Sequence, residues 1–169
     1  MEQVVRDNFF ITGLPRSRTK WFSHYFSRDV VCWHEALNGC HSKQEFYDRM
    51  DIAPVVGNSD CGLIISDFME KYPTAPLVVI HRQPERVRES LQNIGLEVPL
   101  LNLVAYADRL KELPGLHIQY DDINERLPEI HAHCVGTPFD PDWAREAIEA
   151  VVKQNEIITD PISVGIWGH

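Results

Sequence analysis

Residues 8–12 read Asn-Phe-Phe-Ile-Thr, an apolar run too short for a buried helix, which stops at Gly13 and Pro15. The next residues, up to Lys20, alternate cations with hydroxyls: Arg16, Ser17, Arg18, Thr19 and Lys20. This predicts a buried strand over 8–12, a tight loop over 13–20 and a helix from about Ser17 to Ser27. A loop joining the carboxyl end of a strand to a helix N-terminus is an anion site before any side chain is counted, because its amide N–H groups converge and the helix dipole favours negative charge. Arg16, Arg18 and Lys20 add cationic donors, and Ser17 and Thr19 add hydroxyls.

The rest of the chain repeats the alternation. Short strands are expected at Val30–Trp33, Pro54–Gly57, Leu77–His81 and Leu116–Tyr120. Ser42-Lys43-Gln44-Glu45 has the form of a capping box and opens a helix to about Met50. Further helices are expected over about 61–71, from Pro84 (apolar Val87, Leu91 and Ile94), through Leu100, Leu103, Val104, Ala107 and Leu110, and after Asp140-Pro141 (Ala144, Ala147, Ile148, Val151 and Val152). Strands alternating with helices imply an α/β fold: a mostly parallel sheet with helices on both faces, in three layers α/β/α. With no repeat and no long linker, the expectation is one domain over 1–169.

The chain is acidic, with a net charge of −9, yet six of its 16 Lys and Arg residues lie in two short segments: Arg16, Arg18 and Lys20, then Arg82, Arg86 and Arg88. The charge argues against general nucleic-acid binding, which needs a broad cationic face. Concentrated cations on an acidic protein point to an anionic small ligand. The metal-assisted pattern G-x-x-x-x-G-K-[ST], laid on from Gly13, requires glycine at 18, lysine at 19 and a hydroxyl at 20, where the chain has Arg18, Thr19 and Lys20. Strand 77–80 ends in His81-Arg82, without the acidic residue that helps hold Mg²⁺ in such enzymes.

Pro15-Arg16-Ser17-Arg18-Thr19-Lys20-Trp21 resembles the 5′-phosphosulfate loop of the sulfotransferases, P-[KR]-S-G-[TS]-[TS]-[WF], with Arg18 for the usual glycine and Lys20 for the second hydroxyl. Arg82 and Ser90, eight residues apart around Pro84, resemble the same family's second motif. A weaker echo lies at Ile118-Gln119-Tyr120-Asp121-Asp122-Ile123, and the family's C-terminal R-K-G segment has no visible counterpart, although Lys153 is a conceivable substitute. The resemblance implies a P-loop NTPase-like fold and use of 3′-phosphoadenosine 5′-phosphosulfate without a metal. It implies that Pro15, Arg16, Ser17, Arg18, Thr19 and Lys20 cradle the 5′-phosphosulfate, that Arg82 and Ser90 grip the 3′-phosphate, and that Trp21 lies beside the adenine or, equally, serves as a core residue.

Sulfuryl transfer needs a base for the acceptor and a cation at the leaving oxygen. The resemblance implies Arg16, with Lys20 or Arg18, for the cation. For the base it ranks Glu35 first, then His34 and Asp60, all at expected strand ends. The expected reaction moves a sulfuryl group to a hydroxyl of a small molecule or sugar. ATP-dependent phosphoryl transfer and a non-catalytic nucleotide-binding role are the alternatives.

Two Cys/His groups, Cys32, His34, Cys40 and His41, and His131, His133 and Cys134, lack paired C-x-x-C spacing, so no structural zinc is expected. Four widely spaced cysteines, no signal-peptide layout and no apolar run long enough to span a bilayer lead to the expectation of free thiols in the cytoplasm. The partners expected are the nucleotide and its acceptor, with a homo-oligomer conceivable because a partner subunit would help enclose the acceptor.

Overall fold

The structure, a computed structural model, describes residues 8–62 and 70–157, with side chains to residue 150. Five strands form one sheet in the order β2-β3-β1-β4-β5: β1 Phe9–Gly13, β2 Val31–His34, β3 Val56–Ser59, β4 Leu77–His81 and β5 Leu116–Gln119. Every pairing is parallel, with Gly13 opposite Ile80 and His34 opposite Ser59. The helices are α1 Thr19–Phe26, α2 Lys43–Met50, α3 Pro84–Gln92, α4 Leu100–Lys111, α5 Leu127–Cys134 and α6 Pro141–Ile157.

Alternation along β1 explains the layering. All five of its residues are buried, as a central strand covered on both faces requires. Phe10 joins Phe46 of α2, Val87 and Leu91 of α3, and Leu103 and Leu110 of α4 in one core. Phe9 faces the other way, where its ring meets Phe26 of α1 at 4.9 Å. Phe26 in turn stacks on His131 of α5 at 5.9 Å. The expected three-layer α/β/α arrangement around a parallel sheet is therefore the one observed.

The chain forms two compact units that divide between Phe139 and Asp140. The first holds the sheet and α1–α5. The second holds α6, where Asp140 Oδ1 accepts from the N–H groups of Asp142 and Trp143 at 3.0 and 3.1 Å, the cap expected from Asp140-Pro141.

Local chemistry sets the boundaries. Ser42 Oγ accepts from Glu45 N at 3.2 Å, and Glu45 Oε2 accepts from His41 N at 2.7 Å, so the capping residues act together. Strand β3 starts two residues later than expected. Pro54 has no N–H for the ladder, and pairing begins at Val56, whose N–H donates to Asn8 Oδ1 at 3.0 Å. Tyr120 leaves β5 to open a short 3₁₀ turn, Tyr120–Asp122. Helix α5 carries no strong periodic signal and was not expected. The helix expected over 61–71 falls largely on 63–69, outside the described residues, as do the side chains of Val151, Val152 and Lys153.

Candidate functional site

Gly13 is dictated by sterics. A Cβ there would lie 2.8 Å from the Ile80 carbonyl oxygen and 3.2 Å from Ser17 Cβ, so only glycine lets the loop fold back over the end of β4. The loop then turns through two left-handed residues, Arg16 and Arg18, both at φ 65°. The second is the position where the resembling motif has glycine, so the backbone shape is kept although the residue is not. Arg18 is the N-cap of α1, and its side chain makes no cap hydrogen bond. This delays the helix start from the expected Ser17 to Thr19.

Ser17 is fully buried, and its Oγ has no hydrogen-bond partner among the described residues. An unsatisfied buried hydroxyl costs about 1–3 kcal/mol, and an anion seated at the N-terminus of α1 would relieve it. Thr19 Oγ1, also buried, lies 3.4 Å from His34 Nε2. Lys20 is exposed at the edge of the loop.

The structure brings the second constellation directly against the first. Arg82, just beyond β4, donates from Nη1 to the Arg16 carbonyl. Its guanidinium lies 4.1 Å over the Tyr120 ring, and its Nε is buried without a partner. Arg16 extends its own side chain to Ser90, donating from Nε to Oγ at 3.1 Å. Arg86 instead pairs with Asp121 at 3.3 Å on the exposed surface, a contact of small energetic weight.

Arg18 engages a different pair of residues. Its Nη1 donates to Asn124 Oδ1 at 2.6 Å, and its guanidinium carbon sits 4.0 Å from the Trp21 ring centroid. Burial lowers its pKa, with Tyr120 acting in the opposite direction. Trp21 is only 7% exposed and stacks on Tyr25, with centroids 5.4 Å apart and 18° between planes.

The three base candidates converge beyond β2 and β3. His34 Nε2 lies 3.8 Å from Glu35 Oε1. Glu35 adopts φ 55°, and its N–H donates to the Ser59 carbonyl at 3.1 Å, so the edge of the sheet fixes the turn that carries it. Glu35 Oε2 accepts from Asn38 Nδ2 at 2.7 Å, while Oε1 lies 3.7 Å from the Cys61 thiol. Asp60 is buried and accepts from Gly62 N at 2.7 Å.

Burial sets the protonation of this group. It lowers the His34 pKa, with Glu35 opposing and Lys20 reinforcing that direction, so the ring is held neutral. It raises the Asp60 carboxyl, against the Gly62 N–H and with help from the Glu35 charge. The Cys61 thiol is pushed up to about 12 by burial and then by the two carboxylates, which leaves it unreactive as a nucleophile.

Among the described residues, Glu35, Asp60 and Cys61 are the group able to ligate a metal, with one ligand atom each within 4.8 Å of one another. Neither Cys/His group in the sequence assembles. Buried His131 pairs with Tyr25 Oη at 3.0 Å and with the Thr137 carbonyl at 3.0 Å, and none of the four cysteines forms a disulfide. Sequence reasoning missed Asn38, Asn124 and Tyr120 as supports of Glu35, Arg18 and Arg82. Of these only Tyr120 lay in a motif that had drawn notice.

No helix among the described residues is long and apolar enough to cross a membrane. No family profile matches the chain, and no curated protein matches it. Among solved structures it is similar to the mouse sulfotransferase SULT7A1 complexed with PAP, at TM-score 0.58 and 13% identity over 85% of this chain and 63% of that one. The chain thus spans less than two thirds of the mouse protein's length. A sulfotransferase from Alicyclobacillus acidocaldarius aligns at TM-score 0.49 and 16% identity, covering 86% of this chain and 91% of that one. A shikimate kinase from Bacteroides thetaiotaomicron aligns at 0.37 and 12% identity, covering 89% and 98%. At 13% identity the likeness to the mouse protein is one of fold alone, an α/β architecture around a parallel sheet.

Proposed function

We propose that the chain is a sulfotransferase that binds 3′-phosphoadenosine 5′-phosphosulfate and transfers its sulfuryl group to a hydroxyl of a small molecule or sugar. The observation that carries this reading is the junction of Arg82, Arg16 and Ser90 beside the unsatisfied Ser17 hydroxyl. Two cationic centres and a helix N-terminus suit a ligand with two separated phosphate groups, and the fold shared with the mouse enzyme supports the same ligand class.

The bound nucleotide would supply its sulfuryl group from a mixed sulfate–phosphate anhydride, with the 5′-phosphate of 3′-phosphoadenosine 5′-phosphate as the leaving group. In this reading Ser17 and the amides at the start of α1 bind the 5′ group, and Arg16 faces the leaving oxygen, stabilising its growing charge. Arg82 and Ser90 bind the 3′-phosphate as a charge-assisted pair. Glu35, held by Asn38, takes the acceptor proton, while neutral His34 keeps Thr19 and Glu35 in register. Pro15 and Lys20 line the loop mouth.

ATP-dependent phosphoryl transfer is the second reading, and one observation favours it: the metal-capable group Glu35, Asp60 and Cys61. A thermal-shift comparison decides between them. Stabilisation by 3′-phosphoadenosine 5′-phosphate beyond that by ATP or AMP, without added metal, is the expected result. Equal or greater stabilisation by ATP with Mg²⁺ overturns the sulfotransferase reading, and binding without turnover leaves a non-catalytic nucleotide-binding protein.

A further inference from the structure

Trp21 does not offer a free ring face at the mouth of the loop. It is 7% exposed, with the Arg18 guanidinium 4.0 Å from its centroid and Tyr25 stacked against it at 5.4 Å. A base can reach Trp21 only by expelling Arg18, which breaks the 2.6 Å bond to Asn124 and uncovers the indole. Arg18 itself is partly exposed and follows Ser17, the buried hydroxyl of the loop. Its guanidinium is planar, always charged and fixed from two sides, by an aromatic ring and by an amide oxygen.

Two further features mark Arg18 as more than a filler. It occupies a left-handed backbone position, φ 65°, that glycine would take without strain. Its Nε is also buried without an acceptor among the described residues. A residue kept in a backbone conformation that disfavours it, with an unsatisfied donor beside an anion cradle, fits a role in holding ligand.

We propose that Arg18, rather than Trp21, is the residue on which the nucleotide base stacks, so that the base extends a column formed by Tyr25, Trp21 and Arg18. This rests on the nucleotide reading above and adds to it the residue that selects a ligand with a base. Guanidinium planes stack on the π faces of bases, and a guanidinium already ordered by Trp21 and Asn124 loses little freedom when a base joins it.

The test is isothermal titration of the full chain with 3′-phosphoadenosine 5′-phosphate and with inorganic pyrophosphate, which has the charge but no base. Arg18→Lys keeps the charge and loses the plane. It should weaken the nucleotide about tenfold, the scale of one cation–π contact, while pyrophosphate changes less than about threefold. Arg18→Gly should fold at least as well as the parent, because its φ suits glycine, and should also weaken the nucleotide. If Arg18 were instead a plug over Trp21, Arg18→Gly would tighten nucleotide binding. Tightening, or nucleotide binding unchanged in both variants, overturns the proposal. A parent chain that binds pyrophosphate but not the nucleotide overturns the nucleotide reading itself, which is a different outcome from unchanged variants of a parent that binds.

Discussion

The guanidinium of Arg82 donates to the backbone carbonyl of Arg16, so a residue at the end of β4 holds the turn that follows β1. The side chain of Arg16 then crosses to Ser90 of α3. The two basic segments, 66 residues apart in the chain, are thus one structure. Whatever binds at one end of this bridge affects the other.

That bridge shapes the expected behaviour of Arg82→Ala. Loss of a charged hydrogen bond should weaken 3′-phosphoadenosine 5′-phosphate by about 1.5–3 kcal/mol. AMP should weaken too, by a smaller amount, because the Arg16 carbonyl loses its donor and the loop loosens. Ser90→Ala should spare AMP more completely. Calorimetric titration of both nucleotides against both variants checks this, and equal losses for the two ligands in each variant would place Arg82 and Ser90 away from the 3′-phosphate.

Glu35→Gln should cut turnover by at least about 100-fold, the lower range for removal of a general base, with nucleotide affinity retained. Glutamine keeps an oxygen for Asn38 Nδ2, so the turn at φ 55° should persist. The readout is release of 3′-phosphoadenosine 5′-phosphate from its phosphosulfate across a panel of hydroxyl acceptors. Turnover at the parent level would move the base to His34 or Asp60.

Asp60→Asn should stabilise the fold. The carboxylate is buried at 4% exposure and pushed up by desolvation and by the Glu35 charge. Asparagine still accepts from Gly62 N and carries no charge to desolvate. A rise in melting temperature of about 2–4 °C at pH 7 is expected, and a fall would mean that the charge of Asp60 is needed by a neighbour.

Stability should increase with pH below about 6.5, the ordinary histidine value. His81 Nε2 lies 2.6 Å from His117 Nδ1, and His117 Nε2 donates to the Leu113 carbonyl at 2.7 Å, which leaves Nδ1 to accept from His81. Burial, then His117 and Lys111, lower the His81 pKa below the ordinary 6.5, and burial lowers that of His34 as well. Above about 6.5 neither state takes a proton. As pH falls from there towards the folded pKa, the unfolded chain takes protons that the folded one resists, so stability is lost. Melting temperatures across that range should rise with pH, and His81→Gln should flatten the slope. A flat parent profile would contradict the assignment.

Tyr25→Phe should cost about 1–3 kcal/mol, the price of an unsatisfied buried group. Buried His131 already spends Nε2 on the Thr137 carbonyl at 3.0 Å, so Nδ1 loses its partner at 3.0 Å. Chemical denaturation measures the loss directly.

Much of this was readable along the chain because the signals are local. The apolar run at Phe9 and Phe10, the break at Gly13, the capping residues Ser42 and Glu45, and the proline at Pro84 each act within one turn or one strand. They were enough for the α/β class and the anion loop. Arg82 and Ser90 were legible as a pair because their eight-residue spacing around Pro84 is itself a local pattern, with one residue before α3 and the other within it. Helix α5 was missed because its eight residues carry only a weak periodicity. The start of β3 was misjudged because Val56 is fixed by Asn8, far away in sequence.

What the sequence determined by itself was therefore the alternation of elements and the chemistry of the loop, which depend on neighbours a few residues apart. Tertiary structure decided which side chains meet. Only the parallel order β2-β3-β1-β4-β5 brings Arg82 onto Arg16 and sets Glu35, Asp60 and Cys61 at one edge. It also set the irregular Arg18 against Trp21 and Asn124. A sequence states a side chain's charge and reach, but the direction in which it points is fixed by the backbone beneath it and by the partners that folding delivers.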